Sequence, residues 1–446
     1  MPDTKRHCGR CAAALFVMLA PLAGHAQTSP YYLGVSQTFG YDSNIFRLPD
    51  RTEVQQPGGG VTVIEPESSG LISTTLLLAG LDQPIGRQRV YGNLSAGYSS
   101  YSNQSQLNSP TYALTAGVDW DTVNKLSGNA EFTSGLRLGS YGDRDVPTGL
   151  GDNEETYNRL QLLGRLGDWE RSRFWLEAGY VFDQVRNDID FERAVPFRVE
   201  TDPVTGAPFL RFTDGYKRDD RSSAFTLGVR HRWSGALVLG AGVRTESRSE
   251  EVESRLIDPA GSVSSTLDSR RNDFDLFANL NSSDGNDVSA RLSYGNRDYD
   301  DPGVLDTSGW SGSLRWGWRP TAKVDSSLRL LYDTEDREEG GASAASSAGD
   351  DETLAVEWRL RYEISAKLAA DVSASWYRRD YDDARGGYTD DDTSFRLALS
   401  WAALRNTTVG CALGFDRRDS SYQGPLSGRS SYDAITTSCY AQVMLR

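Results

Sequence analysis

An all-β fold is the class this sequence predicts: a transmembrane antiparallel β-barrel of about 18 strands, with short turns at one rim and long loops at the other. Three observations predict it. Segments of ~10–14 residues repeat an apolar face with a period of two, the length a tilted strand needs to cross a bilayer. Their connections alternate between short and long. The faces opposite the apolar ones carry Arg and Glu, which keeps mean hydropathy at -0.51. No apolar run after the N-terminus reaches the ~18 residues of a membrane-spanning helix. A soluble sandwich would alternate in the same way, but its strands average ~5–6 residues.

Residues 1–26 read as a cleaved signal peptide. Lys5, Arg6 and Arg10 form a basic start, CAAALFVMLAPLAG follows as the apolar stretch, and Gly24-His25-Ala26 offers small residues where a signal peptidase cuts. Cys8 and Cys11 precede the apolar run, unlike a lipoprotein signal. The mature chain, 27–446, is then one exported barrel, with no globular domain expected ahead of its first strand. Cleavage removes three bases and one acid, so the net charge of -15 becomes two units more negative. That balance excludes nucleic acid as a partner.

The apolar faces follow in order. They include Leu94, Ala96 and Tyr98; Tyr112, Leu114, Ala116, Val118 and Trp120; Phe132, Ser134, Leu136 and Leu138; and Phe174, Leu176, Ala178, Tyr180 and Phe182. Later come Phe225, Leu227 and Val229; Trp310, Leu314, Trp316 and Trp318; Leu354 to Ile364; and Phe395, Leu397, Leu399 and Trp401. QPIGRQ, VNKLSG, GDWERSR, RWSG, SSDGND, RPTAK, SAKL and LRN are the short turns. Long links are expected near 42–67, 101–110, 140–155, 187–217, 248–269, 298–308, 334–352, 381–392 and 419–430. Within them, Phe197 to Phe212 reads as a hairpin and 340–349 as flexible linker. Both termini fall on the periplasmic, short-turn side.

Strand ends recur. SYGNRDYDD (293–301), SWYRRDYDD (375–383) and GFDRRDSSY (414–422) each place an aromatic, then Arg with Asp, then a turn. The rings fit the outer interface, and Asp or Asn starts the loop. The Arg/Asp clusters read either as a solvated rim or as contacts to lipopolysaccharide headgroups. In TFGYDSNIFRLPD, Phe39 and Tyr41 are then interface rings and Asp42-Ser43-Asn44 is a turn. Ile45-Phe46 is the apolar start of an extracellular loop.

GYDSNIFR, comprising Gly40, Tyr41, Asp42, Ser43, Asn44, Ile45, Phe46 and Arg47, follows a signal peptide and one strand. In this position it resembles the first-strand motif of the outer-membrane β-barrel porins of exopolysaccharide gene clusters, related to EpsL-type export proteins. The resemblance implies a barrel of this size in a Gram-negative outer membrane, inserted by the barrel-assembly machinery, with a polysaccharide as partner. It implies a part in export or assembly of surface polysaccharide. A diffusion porin, general or sugar-selective, and a structural or adhesive barrel with a filled lumen are the alternatives. One departure is the C-terminus, which ends VMLR rather than in an aromatic.

Catalysis, cofactors and metals find no support in the sequence. The mature chain has one histidine, His231, alternating with Leu227, Val229 and Trp233 at the short-turn rim. Loop carboxylates such as Asp300-Asp301 and Asp390-Asp391-Asp392 are clusters of like charge without a cleft or a calcium-loop spacing. Cys411 and Cys439 lie equally far before and after Pro425, so the flanking strands set them opposite each other. Whether they are bonded stays open.

Parity assigns the water-filled interior. Arg137, Arg159, Arg165, Trp175, Glu177, Arg315, Arg329, Glu357, Arg359, Arg361 and Arg396 should line it, joined by Glu131, Asp275, Asp325 and Glu363. Tyr91, Trp175 and Tyr377 share that parity, either to stack on sugar rings or to pack on inward-folded loops.

Overall fold

The computed structural model describes residues 29–445, apart from 48–51, 56–60, 65–68, 124, 140–150, 168–171, 202–207, 258–260, 283–284, 302–305, 335–351, 382–386 and 422–430. The expected signal peptide and the 340–349 linker lie outside them. In chain order the strands are β1 (Tyr31–Asp42), β2 (Thr52–Gln55), β3 (Val61–Ile64), β4 (Gly70–Ile85), β5 (Gln88–Tyr101), β6 (Ser109–Asp121) and β7 (Leu126–Leu138). They continue as β8 (Gly151–Leu166), β9 (Phe174–Thr201), β10 (Pro208–Arg232), β11 (Leu237–Leu256), β12 (Gly261–Asn281), β13 (Asn286–Tyr299) and β14 (Thr307–Thr321). The last are β15 (Val324–Asp333), β16 (Glu352–Ser365), β17 (Leu368–Tyr381), β18 (Tyr388–Leu404), β19 (Thr407–Ser420) and β20 (Tyr432–Leu445).

All but β2 and β3, which pair only with each other, form one 18-stranded antiparallel sheet. It closes because β1 pairs on one side with β4, from Tyr31↔Leu81 to Asp42↔Gly70, and on the other with β20, from Leu33↔Leu445 to Asp42↔Thr436. Despite the unusual VMLR ending, the last strand is paired with β1 up to Leu445 and with β19 up to Val443. Closure removes every edge, which a bilayer requires of a sheet.

Alternation places the side chains. On β1, Tyr31, Leu33, Val35, Phe39 and Tyr41 point outward and are exposed, while Ser36 and Asp42 point inward and are buried. The outward rows continue around the ring as an apolar belt. Its long-loop border carries rings such as Tyr294 and Trp310, 5.0 Å apart. Trp316 and Trp318 mark the short-turn border. Rings at both borders are what the two membrane interfaces favour. The turns between β14 and β15, β16 and β17, and β18 and β19 are two residues long. Between β4 and β5, Gly86 takes φ +65°, which the tight hairpin needs.

The links expected at 187–217 and 248–269 are largely strand. β9 runs for 28 residues and β10 for 25, and the hairpin expected from Phe197 to Phe212 is their continuation. An apolar belt of a barrel needs only ~10 residues of each strand. Beyond it the outward face meets water, so the sequence loses its apolar alternation although backbone pairing continues. Inward ion pairs hold this extension: Arg218 meets Glu250 at 3.0 Å, both nearly wholly buried. Ile189 and Tyr216 form a small apolar cluster beside them, with Val252 against it.

Cys411 and Cys439 are register partners on the outward faces of β19 and β20, with Cα atoms 4.0 Å apart and their sulfurs bonded. Maleimide should label neither residue in the unfolded, unreduced mature protein and both after reduction; labelling without reductant contradicts the bridge. Removing it in a Cys411→Ala/Cys439→Ala variant should lower stability by about 2–4 kcal/mol without opening the barrel.

Candidate functional site

The inward faces of β7 to β15 line a cavity of about 670 Å³. Its floor is made of small residues, among them Ser222, Ala224, Thr226, Gly228, Ser293, Ser311 and Ser313. Longer side chains at these positions would fill the lumen here. Its charged lining comprises eight arginines and seven carboxylates, and no lysine.

A row of contacts crosses six strands at the cavity's short-turn end. Glu177 on β9 accepts from Arg165 of β8 at 3.3 Å, from Arg230 of β10 at 2.8 Å and from the Trp175 indole at 3.0 Å. Arg230 then crosses β11 and sets its guanidinium carbon 3.9 Å from the centre of the Phe277 ring on β12. It can cross because Gly240 lies between them in the register. A Cβ there would come within 2.6 Å of Arg230 Cδ. Arg291 of β13 approaches the same ring at 5.8 Å. It donates through Nε (3.1 Å) and Nη2 (3.0 Å) to Asp275, which is wholly buried and also accepts from Ser293. Farther up, Arg159 meets Asp183 at 3.4 Å and Arg244 meets Glu246 at 2.7 Å.

The residues expected in the lumen divide into groups. Arg137, Arg159, Glu177 and Arg329 line the cavity, Arg137 in an ion pair with Glu155. Arg165 supports it through Glu177. Glu357 reaches Arg329 at 3.5 Å and Arg359 at 3.7 Å, and Arg361 meets Asp371 at 3.2 Å. Arg315 stands opposite Arg329, and Arg396 opposite Gly414, on inward faces away from the cavity. Tyr91 donates to Glu131 at 2.8 Å and Tyr377 to Glu357 at 2.6 Å. Trp175 is no sugar platform. It is 7% exposed, its indole N–H is committed to Glu177, and Arg232 lies 5.9 Å from its ring. Arg230, Arg244, Arg248, Arg271, Arg291 and Phe277 were not singled out from sequence. The parity rule reaches the arginines, but Phe277 directly follows Leu276 and hides in an apolar run.

The first-strand motif folds inward at the mouth. Asp42 Oδ1 accepts from the Asn44 backbone N–H at 2.8 Å and from Arg47 Nη1 at 2.9 Å. Ser43 N–H donates to the Ile435 carbonyl at 3.0 Å, and Ile435 N–H returns to Ser43 Oγ at 2.8 Å. Asn44 Nδ2 donates to the Asp433 carbonyl at 3.0 Å, and Arg47 reaches Asp416 of β19 at 3.6 Å. Arg47 takes φ +51°, a left-handed backbone that a non-glycine residue adopts only where its surroundings hold it. Ile45 and Phe46 do not begin an exposed loop. They are buried with Leu107, from a short 3-10 turn (Ser105–Leu107) between β5 and β6, and Tyr101 and Leu138 pack on them. Octapeptide 40–47 thus latches the seam between the first and last strands.

The recurring R-R-D ends divide between the two faces. Arg378 and Arg417 point outward to Asp380 (3.3 Å) and Asp419 (2.8 Å). Their neighbours Arg379 and Arg418 point inward and converge on Asp392 of β18, at 3.1 and 2.7 Å. Outward on β10, burial opposes the charge of Asp219, but hydrogen bonds from Arg221, Gln184 and Arg186 outweigh it and hold its carboxyl below the usual range. His231 lies on the outward face, its ring stacked on Phe174 at 4.3 Å. Among the described residues no cluster of His, Cys, Asp and Glu is placed to hold a metal ion.

No family profile and no curated protein matches the sequence. Among solved structures, the chain is similar to the copper transporter OprC at 12% identity, with a TM-score of 0.45, over 94% of this chain and 81% of that one. It is similar to OpdK of Pseudomonas aeruginosa, solved with vanillate, at 13% identity and a TM-score of 0.42, over 93% and 98%. It is similar to the ferric-catecholate import receptor Fiu of E. coli at 10% identity and a TM-score of 0.45, over 92% and 81%.

Proposed function

We propose that the protein is an outer-membrane channel that lets small hydrated solutes diffuse across the bilayer. The observation that carries this reading is the cavity of about 670 Å³ inside a closed ring of strands, lined by charged side chains on a floor of small ones. Paired charges of both signs keep such a passage wet and attract polar solutes without trapping them. Purified protein in planar bilayers should give discrete conductance steps, and proteoliposomes should swell in isosmotic sugar. A silent bilayer together with no swelling would leave only a structural barrel with a filled lumen. Gly240→Val should change the unitary conductance, because it pushes Arg230 off Phe277 into the passage; an unaltered step would mean that this row does not border the conducting path.

Export of a surface polysaccharide is the second reading. It rests on the resemblance of Gly40 to Arg47, whose contacts here serve the mouth latch. Deletion of the gene tests it: polymer held back in the periplasm supports export, and normal surface polymer overturns it. Lipopolysaccharide headgroups above the aromatic border, in reach of the outward Arg–Asp pairs, and insertion by the barrel-assembly machinery belong to either reading.

A further inference from the structure

We propose that the Cys411–Cys439 bond is a register lock: it is made before the barrel enters the membrane, and it fixes β20 as the template on which β1 closes. The inference is independent of what the lumen carries.

Topology shows why a lock is needed at this place. Sixteen of the eighteen strands of the sheet are joined in neighbouring pairs by short turns, from β4–β5 to β18–β19. A short turn sets the register of the strands it joins. β1 and β20 are the two strands left over. β1 reaches β4 only through residues 43–69, and β20 follows β19 only through residues 421–431. β1 and β20 then pair with each other although the rest of the sheet lies between them in the chain.

The side chains of β20 do not replace the missing turn. Thr436, Thr437 and Ser438 put similar small hydroxyls on both of its faces, whereas β19 separates Leu413 and Phe415 outside from Ala412 and Gly414 inside. A slip of β20 by two residues would keep every side chain on its own face. It would displace Ile435 and Asp433 by about 7 Å, away from the Ser43 and Asn44 groups that they meet at the mouth. Arg47 reaches past β20 to Asp416 of β19, so the latch fits only when β1, β20 and β19 stand in one register. A bond between the register partners Cys411 and Cys439 excludes that slip.

The place of the bond sets its timing. Cys411 lies beside Leu399 of β18 in the register and Cys439 beside Phe39 of β1, two outward residues of the apolar belt. Thiol–disulfide exchange runs through a thiolate, and hydrocarbon excludes charge. The two cysteines therefore react while the β19–β20 hairpin is still in water. There their thiols give up two protons and two electrons to a disulfide oxidant of the exported compartment, which leaves as a dithiol.

Refolding of the urea-unfolded mature protein into lipid vesicles tests the lock. Closure is read as hydrogen-exchange protection of the Ser43 and Ile435 amides, which bond across the seam. A Cys411→Ser/Cys439→Ser variant should close more slowly than the oxidised chain by about tenfold or more, because a constraint present before the closing step speeds that step. Adding Leu413→Cys/Thr437→Cys to this variant moves the bridge to the next outward pair in the same register and should restore the native rate. Cys411→Ser/Leu413→Cys, oxidised before refolding, bonds Cys439 two residues out of register and should block closure. Equal rates for the oxidised and the serine chains, or normal closure of the slipped bridge, overturns the lock. For the timing, oxidised glutathione should bridge the native chain before vesicles are added and should leave a chain already inserted in its reduced form unbridged. A bond that forms within the vesicles overturns the order of events, and a reduced chain that closes only after oxidation in water upholds it.

Discussion

Replacing Arg291 by alanine is expected to destabilise the barrel by about 3–5 kcal/mol, the loss typical when one partner of a buried ion pair is removed. Asp275 is fully enclosed and receives both donors of one guanidinium edge from Arg291, with a further bond from Ser293. After the substitution the carboxylate would retain one hydroxyl donor and no countercharge. Denaturant unfolding of the mature protein in detergent micelles measures the change. An Arg291→Ala/Asp275→Ala variant should recover much of the loss, since it removes the stranded charge together with its partner. Arg361→Ala should do little, because the Arg361–Asp371 pair is about half exposed on both sides and solvent screens it. If Arg291→Ala proves as stable as the native chain, Asp275 is not enclosed and the row across β8 to β13 does not hold as described.

The barrel itself was legible in the sequence because lipid writes a rule into it. Wherever a strand crosses the apolar belt, as at Leu354 to Ile364 on β16, one face must be greasy, and the period of two follows. The rule stops at the membrane border. Residues 187–217 and 248–269 look like loops because both their faces carry charge, and only the structure reveals the buried partners, such as Glu250 for Arg218. The same limit hid half of each R-R-D end. Adjacent arginines look alike in a sequence, yet Arg417 meets Asp419 outside and Arg418 meets Asp392 inside. Parity identified which arginines face inward. It did not identify the cavity, which depends on where small residues such as Gly228, Ser293 and Ser311 coincide on neighbouring strands. That coincidence is a property of register, and register is not printed in any one segment.

The first-strand motif supplies the other large effect. Phe46→Ala should destabilise the mouth by about 3–5 kcal/mol, the usual result of truncating an enclosed aromatic. Phe46 is 1% exposed and Leu107 0%, although both belong to connections beyond the strands. Their enclosure ties the β1 exit to the β5–β6 connection, while Asp42, Arg47 and Asp416 tie it to β19. Truncation leaves the polar half of the latch to hold the left-handed backbone at Arg47 on its own, and that conformation is unfavourable without support. Hydrogen exchange locates the result: the Asn44–Arg47 and Ser105–Leu107 amides should lose protection while the strand pairs from Leu33 to Phe39 keep theirs. Phe39→Ala is the matched control. It removes the same side chain seven residues earlier, from β1 itself and from the outward face at 64% exposure, where lipid takes its place. Equal loss of protection in both variants would mean that Phe46 acts through general strand stability, and the seam would then be held by backbone pairing between β1 and β20 alone.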